Sequence, residues 1–135
     1  LENSLDELDF VYLSIAYSSI KKYLGGNLVV TTVTLDDLKK HEILKNNFMV
    51  NLSSQLRSVV GWNITAVLDE VEPNKISVSM RTRDSEKFDL SEIAKNVGTG
   101  GGGHRAAAGT TIYKPMNEAV EELVSKVGEL YPFLK

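Results

Sequence analysis

ITAVLDEVEPNKISVSMRT, residues 64–82, is the stretch that decides how the chain folds. Two β-branched runs, 64–71 and 75–82, flank Glu72-Pro73-Asn74, and proline between such runs sits where a tight turn wants it. Joins this short connect antiparallel strands, so the segment reads as a β-hairpin. Its second arm alternates: Ile76, Val78 and Met80 share one face, while Ser77, Ser79, Arg81 and Arg83 share the other. One side is therefore expected to meet a core and the other to present hydroxyls and two guanidiniums.

Outward from the hairpin, the periodicity changes. Leu90, Ile93, Ala94 and Val97 recur at helical spacing behind Asp89, a helix-capping residue. Pro115 opens a last helix carrying Met116, Ala119, Val120, Leu123, Val124, Val127 and Leu130. Between them lies a strand near 109–113. On the N-terminal side, Ser4 and Glu7 form a capping box. The helix it opens is expected to run through Leu8, Tyr12, Ile15, Ala16, Ile20 and Tyr23, stopping at Gly25-Gly26. The run 28–33 (LVVTTV) reads as a strand, and Thr34 caps a short helix with Asp36 and Asp37 first and Lys39, Lys40 and His41 last. Asn46-Asn47 marks a loop, and Asn51 caps a helix over Leu52, Leu56, Val59 and Val60 that ends at Gly61. The sum is an α+β fold: a small mixed β-sheet with a β-hairpin, flanked by helices.

Composition narrows the function. With 135 residues the chain is long enough for one real core. It has no cysteine, which excludes disulfides, thiolate nucleophiles and zinc–cysteine sites, and fits a reducing cytoplasm. The net charge of -3 disfavours a long polyanion as partner. No apolar run reaches the roughly 20 residues of a membrane helix. Leu1-Glu2-Asn3-Ser4 contains no basic run and no initiator Met, so a secretory leader is not expected and the chain reads as part of something longer.

Residues 98–109, GTGGGGHRAAAG, are the most unusual segment. A flexible linker would continue in Ser, Thr or Pro. A dinucleotide fingerprint needs a strand before it and a long helix after it, and here a helix precedes. A Walker loop needs Lys-Ser/Thr where His104-Arg105 stand. What remains is an anion cradle of another design. Residues without side chains let backbone amides converge on phosphate oxygens, with His104 and Arg105 adding donors. A helical turn over Ala106, Ala107 and Ala108 would add its dipole. On the second arm of the hairpin, Ser79, Arg81 and Arg83 read either as a solvated polar face or as a phosphate clamp, and the clamp is the expectation, since guanidinium forks suit phosphate. Trp62 reads as core, and His41 as a helix-end charge.

Gly101-Gly102-Gly103-His104, two further residues, then Ala107-Ala108-Gly109 resemble the GGGHxxAAG signature of the DHHA1 domain, the C-terminal half of DHH-family phosphoesterases. Residues 78–83 (VSMRTR) are similar to that family's SLRS strand, with Met80 for Leu and Thr82 for Ser, and the resemblance spans about residues 28–134. It implies a two-domain enzyme, RecJ-like or nanoRNase-like, whose N-terminal domain holds divalent metal, usually manganese, through an Asp-His-His motif. Its C-terminal domain would bind short oligonucleotides or nucleoside 3',5'-bisphosphates. Relatives include cyclic-dinucleotide phosphodiesterases, and DHHA1 also occurs as a tail of alanyl-tRNA synthetases. Only His41 and His104 are present here and Asp-His-His is absent, so no metal or other cofactor is expected on this chain. Residues 1–27 are then a linker helix leading from the missing DHH domain, and 28–135 the substrate-binding domain. The expected substrate contacts are Ser79, Arg81, Arg83, Gly101, Gly102, Gly103, His104 and Arg105, with His104 alone near the reacting phosphate. The missing DHH domain is the expected protein partner, no membrane partner is expected, and a homodimer stays open.

Overall fold

The computed structural model describes residues 7–43 and 52–134. The expected cap at Ser4, the Asn46-Asn47 loop and the cap at Asn51 lie outside them. The hairpin forms as read: β3 (Ile64–Glu72) and β4 (Lys75–Thr82) pair antiparallel, with Asn74 at positive φ in the turn. They sit at the centre of a six-stranded mixed sheet ordered β1-β2-β3-β4-β6-β5. In it, β1 is Lys21–Tyr23, β2 Leu28–Val33, β5 Gly102–Gly103 and β6 Ala107–Ile112. Among the described residues only the β2–β3 pair is parallel, and the crossover between them carries α2 (Leu35–Lys40) and α3 (Leu52–Arg57).

The alternation along β4 divides the sheet's two environments. One face collects Leu28, Val30, Ile64, Ala66, Leu68, Ile76, Val78, Met80, Ala108 and Ile112 under α4 (Leu90–Lys95) and α5 (Met116–Leu130). Phe88, 1% exposed, closes that core against Tyr131 and Phe133. The other face is covered over β2 and β3, where α1 (Glu7–Ser18), α2 and α3 bring Tyr12, Leu13, Ile15, Leu38, Leu52 and Leu56 onto Val33 and Val67. Over β4 and β6 the same face stays half-exposed, as Ser77, Ser79, Arg81, Ala107, Gly109 and Thr111 all show.

Four local expectations are corrected. The first helix stops at Ser18 instead of continuing to Tyr23, because Lys21–Tyr23 leave it to pair with Leu28–Val30. Ser19 makes the break: its hydroxyl donates to the Ala16 carbonyl and accepts from the Thr32 amide. Gly25-Gly26 consequently turn a hairpin rather than cap a helix. The third helix ends at Arg57, leaving Val59 and Val60 exposed, as β-branched residues without a buried partner add little to a helix end. Finally, β6 begins at Ala107, two residues earlier than expected, so Ala107 and Ala108 are extended and no alanine turn forms.

Tyr12 and Asp69 make a part-buried cross-element contact, the phenol donating to Asp69 Oδ1 at 2.9 Å. Burial lifts the Asp69 carboxyl above the usual carboxylate range, and the Tyr12 hydroxyl only partly offsets this. An acid with a raised native pKa holds its proton more tightly folded than unfolded. Its contribution to stability is therefore greatest in acid and falls as pH rises from the ordinary carboxylate value through the raised one. Asp69→Asn keeps the carbonyl acceptor and removes the buried charge, so it is expected to raise Tm at pH 7 and to lose that advantage near pH 4. Thermal melts at the two pH values check this. A lower Tm at pH 7 would mean that the ionised carboxylate is needed.

Candidate anion-binding face

The sheet register builds the site. Arg81 on β4 lies opposite Ala107 on β6, and Ala107 exchanges both backbone hydrogen bonds with His104 (His104 N to Ala107 O 2.8 Å, Ala107 N to His104 O 3.3 Å). Directly opposed residues share a face. Arg81 and His104 therefore project from the half-exposed side, about 10 Å apart at Cα by two strand spacings. Between them stands only the methyl group of Ala107. One step along the strands, Ser79 lies opposite Gly109 and Gly109 opposite Gly102, so the adjoining floor carries one hydroxyl and almost no bulk. The result is a shallow surface with a guanidinium at one side and an imidazole at the other.

Arg81 is held in place on its own strand, Nη1 donating to the Met80 carbonyl at 2.8 Å. One of its five N–H donors is engaged there, and the fork stays half-exposed. Arg83 lies one residue past the end of β4 and is exposed, so it sits beside this row rather than in it. His104 is exposed at the β5–β6 turn.

The glycines do a different job from the one expected. The amides do not converge on an open cradle. Gly98 N donates to Glu122 Oε2, Thr99 N to Thr111 O, Gly100 N to Val97 O and Gly101 N to Ala94 O, between 2.6 and 3.1 Å. What the missing side chains permit is close approach of the loop to β6. A Cβ on Gly101 would stand 2.0 Å from the Gly109 carbonyl oxygen, and one on Gly103 (φ +141°) 2.6 Å from that of Ala107. Gly102 has open space around it. In an antiparallel ladder hydrogen-bonded and free positions alternate. With His104–Ala107 bonded, Gly103 is the free position, and its amide points outward from edge strand β5. Of Gly101, Gly102 and Gly103, only Gly103 thus keeps a donor for a ligand.

Arg105 also turns away from the face. Its Nε donates to Ser85 O at 2.9 Å, Nη1 to Asp89 Oδ2 at 2.9 Å and Nη2 to Glu86 O at 3.3 Å. A hydrogen bond from Ser91, followed by the Arg105 charge, holds the Asp89 carboxyl below the usual carboxylate range. At the opposite end of the loop, Glu122 accepts from Lys114 and from the Gly98 amide, and both interactions, Lys114 first, hold its carboxyl low. Sequence reading placed Ala107 in the glycine–alanine motif, as part of a helical turn, and did not assign Glu122 or Asp89 to the site.

Among the described residues no group of three or more His, Cys, Asp or Glu side chains is placed to hold a metal ion. No described helix is long and apolar enough to cross a membrane. A groove of about 690 Å³ lies on the opposite face, between α5 and β1, where Met116, Val120 and Val124 meet Tyr23. The cation in its lining, Lys21, is accompanied by Glu121, so the groove lacks the charge of the Arg81–His104 face.

The DHHA1 domain family model matches residues 25–131. Among solved structures, an exopolyphosphatase-related protein from Bacteroides fragilis superposes with a TM-score of 0.79 at 22% identity, over 98% of this chain and 37% of that one. The C-Ala domain of alanyl-tRNA synthetase from Aquifex aeolicus gives 0.51 at 18% identity, over 78% of this chain and 96% of that one. A DHH domain described as belonging to a family of ribosomal proteins gives 0.54 at 17% identity, over 90% of this chain and 30% of that one. The chain thus spans about a third of the length of the first and last of these. Similarity at this level of identity establishes a shared fold.

Proposed function

The chain belongs to the DHHA1 domain family, and from that premise we propose that it is the substrate-binding part of a DHH-family phosphoesterase. The substrates are short oligonucleotides or nucleoside 3',5'-bisphosphates. The observation that carries this reading is the cross-strand row Arg81–Ala107–His104 on the half-exposed face, two cationic or hydrogen-bonding groups either side of a methyl-sized gap. A phosphate seated over Ala107 would receive the Arg81 fork from one side and an imidazole N–H from the other. The Ser79 hydroxyl is one step away for a sugar or a second phosphate.

This chain's contribution to the reaction is positional. It would hold the phosphate fixed, and a partner DHH domain carrying a divalent metal such as manganese would supply the water-activating chemistry. His104 is the residue suited to steady charge that grows on the phosphate oxygen during the attack. The net charge of -3 favours small substrates, since long strands reward extended basic surface. A cytoplasmic setting is part of the same reading.

The test is direct. Isotope-labelled protein titrated with 3',5'-bisphosphorylated adenosine and with a dinucleotide should show shifts concentrated at Ser79, Arg81 Nε, Gly103 and His104. The same chain, given manganese, should hydrolyse neither ligand, releasing no phosphate from the bisphosphate and no mononucleotide from the dinucleotide. Shifts confined to the Met116–Val120–Val124 groove, or turnover by this chain alone, would overturn the proposal.

A further inference from the structure

Arg105 follows the histidine of the turn, yet all three of its guanidinium nitrogens are directed at one short segment, through the carbonyls of Ser85 and Glu86 and the carboxylate of Asp89. Its own backbone closes the same joint. The Leu90 amide donates to the Arg105 carbonyl at 3.0 Å, and the Thr82 amide donates to the Ala106 carbonyl at 3.1 Å. The far side of that segment is anchored to the core: Phe88 is buried between Tyr131 and Phe133, and the Asp89 amide donates to the Tyr131 hydroxyl at 2.8 Å. A two-residue turn that would otherwise hang from the edge of the sheet is thereby strapped to a rigid cluster. The residue flanking it is His104. The strand entering the strapped segment, β4, carries Arg81, and Arg83 follows one residue past its end.

From this arrangement we infer that Arg105 is a positioning residue, fixing the His104 turn against the segment that follows β4, so that His104 and Arg81 are held at one spacing without themselves being ordered by the phosphate. The inference rests on the reading of the Arg81–His104 face as the phosphate site. It departs from the simpler expectation that Arg105 is a third cation on the ligand. The two differ in sign, because the contact that would occupy Arg105 on a ligand is the one it makes with Asp89. Lysine preserves the charge but cannot span three acceptors in one plane. Asparagine at 89 preserves the cap on Ser91, which uses the other carboxyl oxygen, and weakens only the partner of Arg105.

Calorimetric titration of 3',5'-bisphosphorylated adenosine into the protein separates the two. Positioning predicts that Arg105→Lys weakens binding about tenfold, since small displacements of a binding group are costly. Asp89→Asn should weaken it in the same direction, and the double variant should bind no worse than Arg105→Lys alone. The pair is half-exposed (55% and 24%), so Tm should move by no more than about 4 °C in each variant. Near-normal binding by Arg105→Lys, or tighter binding by Asp89→Asn, would overturn the inference. Should the unaltered protein bind no phosphate ligand, the reading of the face fails. The positioning role is then judged from the ligand-free spectrum of Arg105→Lys. Broadened or shifted Gly103 and His104 amides with Ile76 and Val78 unmoved support it, and an unchanged spectrum defeats it.

Discussion

Gly101→Ala is expected to destabilise the protein by about 3 kcal/mol, lowering Tm by roughly 10 °C, with the damage centred on the loop that carries His104. The added methyl group would stand 2.0 Å from the Gly109 carbonyl oxygen and 2.7 Å from the Thr110 Cα. Both are backbone atoms of β6, which lies between two other strands and cannot step aside as a side-chain tip could. Either the loop lifts, breaking the Gly101 N to Ala94 O bond, or β6 shifts against β4 and carries Ala107 away from Arg81. Gly102→Ala is the internal control. It adds the same atom to the neighbouring residue, where nothing lies within 4 Å, and should cost less than about 0.5 kcal/mol. Chemical denaturation of the two variants side by side measures the contrast. Equal stability would show that close approach is not what the glycines supply.

Arg81→Ala is expected to abolish most nucleotide-phosphate binding while leaving the fold intact. A forked guanidinium–phosphate contact comprises two charge-assisted hydrogen bonds, and losing it costs about 3 kcal/mol, or roughly a hundredfold in Kd. The protein itself loses little. Arg81 is half-exposed, and its guanidinium bonds to the carbonyl of the preceding residue, so stability should change by less than about 1 kcal/mol. Arg81→Lys, which keeps the charge without the fork, should fall between, about tenfold weaker than the parent. Titration calorimetry at two salt concentrations adds a further check, because removing one phosphate contact should flatten the salt dependence. Undiminished affinity in Arg81→Ala would remove the basis for placing the phosphate over Ala107.

Much of this architecture was legible locally. The hairpin, the two faces of β4, the cap at Asp89 with its helix, and the final helix opened by Pro115 all follow from spacings of two to four residues, which the backbone geometry of strands and helices imposes. The glycine–histidine segment also announced itself, as no ordinary linker continues into His-Arg-Ala-Ala-Ala. Misreadings arose where a local signal had two solutions. Ile20 and Tyr23 fit the helical stripe of α1, but the open edge of β2 offered Lys21–Tyr23 three residues of ladder instead. Glycines grouped together fit an amide nest and fit close packing equally well. The choice fell to packing, since the Ala94, Val97 and Thr111 carbonyls and the Glu122 carboxylate were there to accept those amides.

Sequence alone determined which residue types this protein could present to an anion and on which side of β4 two of them lie. Only the tertiary structure decided that Arg81 and His104, far apart in the chain, lie on either side of a single alanine, while Arg105, adjacent to His104, faces elsewhere. Period and propensity act over one turn or one pleat, so they set the direction of a side chain relative to its near neighbours. Which strand lies beside which, and which acceptor a guanidinium finds, depends on contacts between segments far apart in sequence. Those are settled when the whole sheet closes over its core.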